Sequence, residues 1–421
     1  MGGTAFAQHQ SPISTPRMPC EVYKSRLRET KALLSQFYDH VLSPIEAPGK
    51  DSYGDLDILL FKPKISSLDD AQRSREDIAE QIKTILGAKA VIVRKGDPVI
   101  SFAVSSPDNK CSLEEEKAVD EIYVQVDIQI LSNYQDFRYS YFHESHGDLW
   151  TILNYIIKPF GLRVNNKGMY ICIASIEATN NKKSRVFLTS EPEKILSFIG
   201  LDPEIWWKYF PSMDNMFHYA ASCRMFNPHQ FQWALEDTSN SENLVSLNIT
   251  KKQWSRKDRV RLVKRPVFAA WFNDFIPSCL SKHLYEKPDL FLTREQIKYE
   301  VFSRFNVKKE FEEKEINWAL TKNDEQVINE GVRKSVPTEG VDPALRAAGI
   351  RVLKDVILDG NLWKDNMRPI EVQRDEHGFH DIEKVKRWVS ENWHMAGKIG
   401  LARQLEKSIL NNQKRLAEFS L

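Results

Sequence analysis

The run Ile122–Leu131 (IYVQVDIQIL) constrains this chain most, because it has the cleanest alternation in the chain, kept from Ile122 through Ile130. Successive side chains of a strand point to opposite faces. Ile122, Val124, Val126, Ile128 and Ile130 therefore share one face, and Tyr123, Gln125, Asp127 and Gln129 the other. A helix would scatter the five apolar residues around its axis. The run is a strand with one face in a core, and its polar face carries a single acid, Asp127.

A second strand is predicted at Leu56–Phe61 (LDILLF), a short apolar run bounded by turn signals and reached through Gly54-Asp55-Leu56-Asp57. Asp55 and Asp57, at i and i+2 on a strand, point to the same face. Like charges that close raise each other's pKa, and a divalent cation between them removes the conflict. Taken alone, Gly-Asp-x-Asp also occurs at strand starts where the acids only solvate a turn. Asp127, about 70 residues later on the polar face of another apolar strand, supplies the third carboxylate of a set that can hold two Mg²⁺ (or Mn²⁺) ions.

Between and around these strands the pattern mixes helix and strand. Residues 21–42 have near-helical apolar spacing, Asp69–Leu86 reads as a helix stopping at Gly87, and Ala90–Arg94 and Val99–Val104 are β-rich. A helix follows at Asp148–Lys158, then a β-pair around Asn165–Gly168 and a short helix after Ser190-Glu191-Pro192. From about 203 onward the chain is mainly helical, with tryptophans that suit a core, Gly331–Pro343 as a linker or exposed loop, and a final helix over Asp381–Phe419.

At 421 residues the chain is long enough for two or three domains at roughly 100–200 residues each. No apolar run approaches the ~18 residues of a membrane span. Residues 1–19 are small and polar, lack a secretion-signal core, and carry Phe6 where myristoylation wants Ser or Thr; a disordered tail is expected there. Five scattered cysteines, with no Cys-x-x-Cys pair, favour reduced, buried thiols in an intracellular protein. His143-x-x-His146 stands beside Glu144 but has no further Cys or His ligands nearby, which is weak ground for a zinc site. Net charge is only +1, yet Lys251–Arg265 (KKQWSRKDRVRLVKR) holds eight basic residues and one acid. On a helix, Lys252, Arg256 and Arg259 share one face, and Lys257, Arg261, Lys264 and Arg265 another. Such a segment suits a phosphate backbone, or else a solvated surface or an acidic neighbour within the protein.

Several blocks, in order, carry a resemblance. Gly49–Leu60 (GKDSYGDLDILL) resembles the active-site strand of the family X, polymerase β-like nucleotidyltransferases, and Val126-Asp127-Ile128-Gln129-Ile130 the strand bearing that family's third catalytic aspartate. Tyr141-Phe142-His143-Glu144-Ser145 is similar to its Tyr-Phe-x-Gly-Ser turn. Gly161–Asn165 with Gly168–Tyr170, and Ser190–Leu201, resemble successive parts of its thumb. The departures are as specific: the family's phosphate-holding Gly-Ser pair falls near Pro44-Ile45 and is absent, Glu144 replaces a glycine, and the ~40 residues upstream leave no room for the family's further N-terminal domain.

The resemblance implies an α+β fold. A nucleotidyltransferase palm would span residues 20–135, a small thumb-like α+β unit 136–205, and a mainly helical C-terminal region 206–421. It implies an enzyme that moves a nucleotide from an NTP to a hydroxyl, with Asp55, Asp57 and Asp127 as catalytic metal ligands. Lys50, Ser52 and the Gly54 amide, in the turn before the acids, are then candidate phosphate contacts. Asp148 and Asn154 at the head of the thumb-like helix face a base or sugar, or serve as cap and solvated face. Lys252, Arg256, Arg259 and Arg261 are candidate contacts to an RNA or DNA acceptor. Transfer to a small molecule or protein, and a non-catalytic nucleic-acid-binding module, remain alternatives.

Overall fold

The computed structural model describes residues 3–7, 13–64, 73–106, 121–235, 254–286, 292–363 and 366–418. They form an α+β protein in two compact units, Met1–Val307 and Lys308–Leu421. The helical region expected as one stretch from 206 is thus divided between them.

In the first unit, β1 (Met18–Pro19) leads into α1 (Cys20–Leu34). The helical spacing of the sequence runs on to Leu42, but α1 stops at Leu34 and Tyr38–Leu42 is a strand, β2. The physical reason is pairing: β2 lies antiparallel to β4, with His40 opposite Phe61, and Tyr38 is buried in the core beneath it. Then come β3 (Ser52–Tyr53), which pairs with β1, and β4 (Leu56–Pro63). Helix α2 (Arg75–Leu86) starts on a reciprocal cap between Ser74 and Asp77 and ends at Gly87. Strands β5 (Ala90–Val93), β6 (Val99–Ser105) and β7 (Tyr123–Leu131) complete a five-stranded sheet of order β2-β4-β7-β6-β5. Only β4 and β7 are parallel; the chain between them makes the long crossover such a pair requires.

The alternation of β7 works as the sequence demands. Val124, Val126 and Ile128 join Leu56, Ile58 and Leu60 of β4 and Ile100 and Phe102 of β6 under Ile78 and Ile82 of α2 and Leu34 of α1. Each such burial contributes about 1.5–3 kcal/mol relative to exposure. The opposite face is left to Asp57, Ser101, Gln125 and Asp127.

The described residues of the expected tail, 3–7 and 13–19, are anchored to the fold. Phe6 is fully buried with Ala103 and Tyr123, and Met18 joins the main core. The Tyr123 N–H donates to the Ser14 carbonyl at 3.0 Å. Two apolar anchors outweigh a polar average. Past β7 come α3 (Tyr134–Glu144), α4 (Leu149–Ile157) and a second antiparallel sheet of β8 (Leu162–Asn165), β9 (Gly168–Cys172) and β10 (Arg185–Thr189), whose last strand the sequence pattern did not announce. Trp206 and Trp271 are completely buried, as are Cys172, Cys223 and Cys279 or nearly so, which fits core duty for both residue types; Cys111 lies outside the described residues.

In the second unit, helix Pro343–Ile357 packs on the long helix Ile382–Glu418 around Val352, Val356, Val385 and Val389. Their axes approach through small residues: a Cβ at Gly400 would come within 2.7 Å of the Ala348 carbonyl oxygen. Gly331–Arg333, expected to be the start of a loop, closes a helical segment from Val327, with Gly331 and Val332 buried.

Candidate functional site

Parallel pairing places Asp57 directly beside Asp127 in register, so both carboxylates leave the same face of neighbouring strands. Asp55 stands two residues before Asp57, and Ser101 is in register on the far side of Asp127. Asp57 still reaches solvent, while Asp55 and Asp127 are half-buried. Confinement among packed atoms, then the negative charges of Asp55, Asp127, Glu144 and Glu46, push Asp57 well above the usual carboxylate range. Because its side chain meets water, repulsion weighs more here than loss of hydration. Asp55 is raised mainly by burial, with Lys50 and Arg17 partly offsetting it. Asp127 is pushed up to about 6, by burial first and by Asp55, against the hydrogen bonds of Ser101 and Gln125.

These acids suit a hard divalent cation: the donors are all oxygen, and they repel one another. They do not form a closed cage. Among the described residues, no three His, Cys, Asp or Glu side chains meet as a metal-holding group. Both oxygens of Asp127 instead accept from Gln125 Nε2, at 3.0 and 2.9 Å. Asp55, Asp57 and Asp127 are the residues that would hold a cation here.

The turn before the acids is already engaged. Lys50 is ion-paired to Glu46, which also accepts from Tyr23 Oη at 2.8 Å, and its ammonium sits 5.3 Å from the centre of the Tyr53 ring. Ser52 Oγ accepts from Arg17 Nε at 2.9 Å. Gly54 is buried. The loop Ile45–Lys50 rests on the turn after α3: the Ile45 N–H donates to Ser145 Oγ at 3.0 Å, and the His146 N–H donates to the Ile45 carbonyl. His146 is buried, with Nε2 donating to the Trp206 carbonyl at 2.7 Å, so it is a packing residue of that turn. Buried Asp148 makes no cap bond with its side chain; it accepts from Arg265 at 3.1 Å.

Asn154, a candidate nucleotide contact by sequence, is spent on the backbone. Its Nδ2 donates to the carbonyls of Trp150 and Val164, and its Oδ1 accepts from the Val164 N–H, all at 2.9 Å. The amide covers the free edge of β8 as another strand would. Asn154→Leu is expected to destabilise the protein by about 2–3 kcal/mol, from two backbone groups left unpaired. Chemical denaturation measures that cost; unchanged stability with weakened nucleotide binding would return Asn154 to the site.

In the basic segment, Lys252 lies outside the described residues. Helix Arg256–Lys264 leaves Arg256 and Lys257 exposed, while Arg259 donates to the Trp254 carbonyl at 3.2 Å and Arg261 pairs with Asp258 at 2.7 Å. Arg265, just past the helix, reaches the Asp148 turn, and no sequence signal pointed to that pairing. Gln125, two residues from Asp127 on its polar face, was visible in the alternation but carries no charge to draw notice. Compared with known proteins, the chain matches no protein-family model, and no curated protein matches it either.

Proposed function

We propose that the first unit carries a polymerase β-like palm that transfers a nucleotide from an NTP to a hydroxyl, most simply the 3′ end of a nucleic acid. The observation that carries this reading is the in-register pair Asp57–Asp127 on parallel strands, with Asp55 near enough for its charge to act on both. Asp55 and Asp57 would hold the cations, and Asp127 would complete the site beside the acceptor hydroxyl. When bound, Mg²⁺ or Mn²⁺ supplies polarisation of the phosphoryl oxygens and neutralises developing charge. Asp127, in register beside Asp57, would take the proton of the hydroxyl. Lys50, half-exposed beside Asp55, is the cation nearest to hand for a phosphate.

Incubation with each labelled NTP and pools of RNA, DNA and cell metabolites tests the reading, with Asp57→Asn as control. Label in the nucleic-acid fraction that Asp57→Asn removes supports it. Label confined to metabolites or to the protein itself moves the acceptor to that class. No label with either metal leaves a non-catalytic module.

The acceptor surface is tested separately. Arg256 and Lys257 are exposed on the basic helix, and converting both to Gln is expected to flatten the slope of log K against log[salt] by about 0.7 per lost contact on a single strand, or about 0.9 on duplex DNA. Arg259, tied to the Trp254 carbonyl, contributes less. An unchanged slope on RNA and DNA alike would assign this helix to solvent.

A further inference from the structure

The segment Gly3–Ala7 with Ile13–Arg17 lies as a strap across the start of both acid-bearing strands. Because β4 and β7 are parallel, those starts are at the same end of the sheet. Gly3 (φ +80°) is wedged between carbonyls, and a Cβ there would meet the Gly54 and Thr15 oxygens at 2.8 Å. Thr15 Oγ1 donates back to the Gly3 carbonyl at 2.6 Å, and Phe6 is buried against Ala103 and Tyr123. Arg17 holds Ser52, three residues before Asp55. The Ala5 N–H donates to Gln125 Oε1 at 3.0 Å, and Gln125 is only 4% exposed.

That last bond fixes the polarity of an amide. A backbone N–H can only donate, so the oxygen of Gln125 faces Ala5 and its NH₂ faces Asp127. Without the strap, Gln125 is free to flip and turn its own oxygen toward a carboxylate. We propose that the strap is an arm of this site, with Gln125 as the positioning residue through which it sets the Asp127 carboxylate. The inference rests on the metal-site reading above. Groups that orient a metal ligand typically account for 10–100-fold in affinity. Coupling is reciprocal: a strap that favours the bound cation is itself held by it.

The test is Mn²⁺ affinity of the full chain by calorimetry, for wild type, Asp57→Asn, Gln125→Leu, Gly3→Ala and the Gln125→Leu/Gly3→Ala pair, together with hydrogen exchange at the Ala5 amide. Gln125→Leu is expected to weaken Mn²⁺ binding about 10–100-fold. Gly3→Ala, which displaces the strap while leaving the Gln125 side chain intact and so is informative even if Gln125→Leu folds poorly, should weaken it several-fold. The double variant should be no weaker than Gln125→Leu alone, because both act along one chain of contacts. Saturating Mn²⁺ should slow exchange at Ala5. Wild-type affinity in Gln125→Leu and Gly3→Ala, tighter binding in either, or simple additivity overturns the inference while leaving the metal site standing, provided Asp57→Asn abolishes binding. Mn²⁺ binding absent from wild type, or indifferent to Asp57→Asn, removes the site and the inference together.

Discussion

Asp57→Asn is expected to lower the proposed nucleotidyl transfer by roughly a thousandfold or more, about 4 kcal/mol of barrier, while the metal-free protein becomes no less stable. Asp57 is the middle of the three acids: two residues after Asp55, which precedes β4, and in register with Asp127 on the neighbouring strand. Asparagine keeps its size and leaves the β4 ladder untouched, since that ladder is made by backbone groups. What changes is charge. Four acids press on Asp57, so replacing its ionisable carboxyl group by a neutral amide relieves repulsion in the empty site and removes a ligand from the loaded one. Steady-state kinetics beside urea denaturation separates the two effects. Undiminished turnover in a folded variant would mean that the acids serve the sheet and not the chemistry.

The sheet and its acids were legible because both are written in nearest-neighbour pattern. Strict alternation leaves β7 no other conformation, and a Gly-Asp-x-Asp turn into an apolar run fixes which way Asp55 and Asp57 face. The same short-range signals failed where a distant partner decided the outcome. Helical spacing across residues 21–42 lost to β2, because Tyr38–Leu42 gains a ladder with β4 that no local window can see. Residues 3–7 and 13–19 looked like a polar tail, yet Phe6 and Met18 each find a pocket built from residues far along the chain. Asn154 and Asp148 have the chemistry of ligand contacts, but β8 and Arg265 claim them. Polar residues are hard to assign from sequence for this reason: a side chain's chemistry is local, and its partner is not.

The same carboxylates set an unusual dependence of stability on pH. Asp127, raised from 3.8 to about 6, keeps its proton in the folded protein at pH values where the unfolded chain has released it. Its contribution therefore falls as pH rises between about 4 and 6, and Asp57 and Asp55 act in the same direction. His143 and His146 pull the other way. Burial lowers both from 6.5 to about 4, so the unfolded chain takes up protons that the folded protein refuses, and stability falls as pH drops through that interval. The two sets oppose each other in one window, with Glu144, pushed up to about 7 by burial, and Asp148 on the side of the acids and His380 on that of the histidines. A divalent cation acts on the acids alone, drawing their folded pKa values below the unfolded ones and reversing their sign. Acids and histidines then both lose stability on acidification. Denaturation midpoints measured from about pH 4 to 7 should rise more steeply with pH in saturating Mn²⁺ than without metal, the curves converging near pH 4 where protons displace the cation. In Asp57→Asn the metal-dependent part of the rise should shrink while the slope set by His143 and His146 remains. A gap between the curves as wide at pH 4 as at pH 7 would place the cation away from Asp55, Asp57 and Asp127.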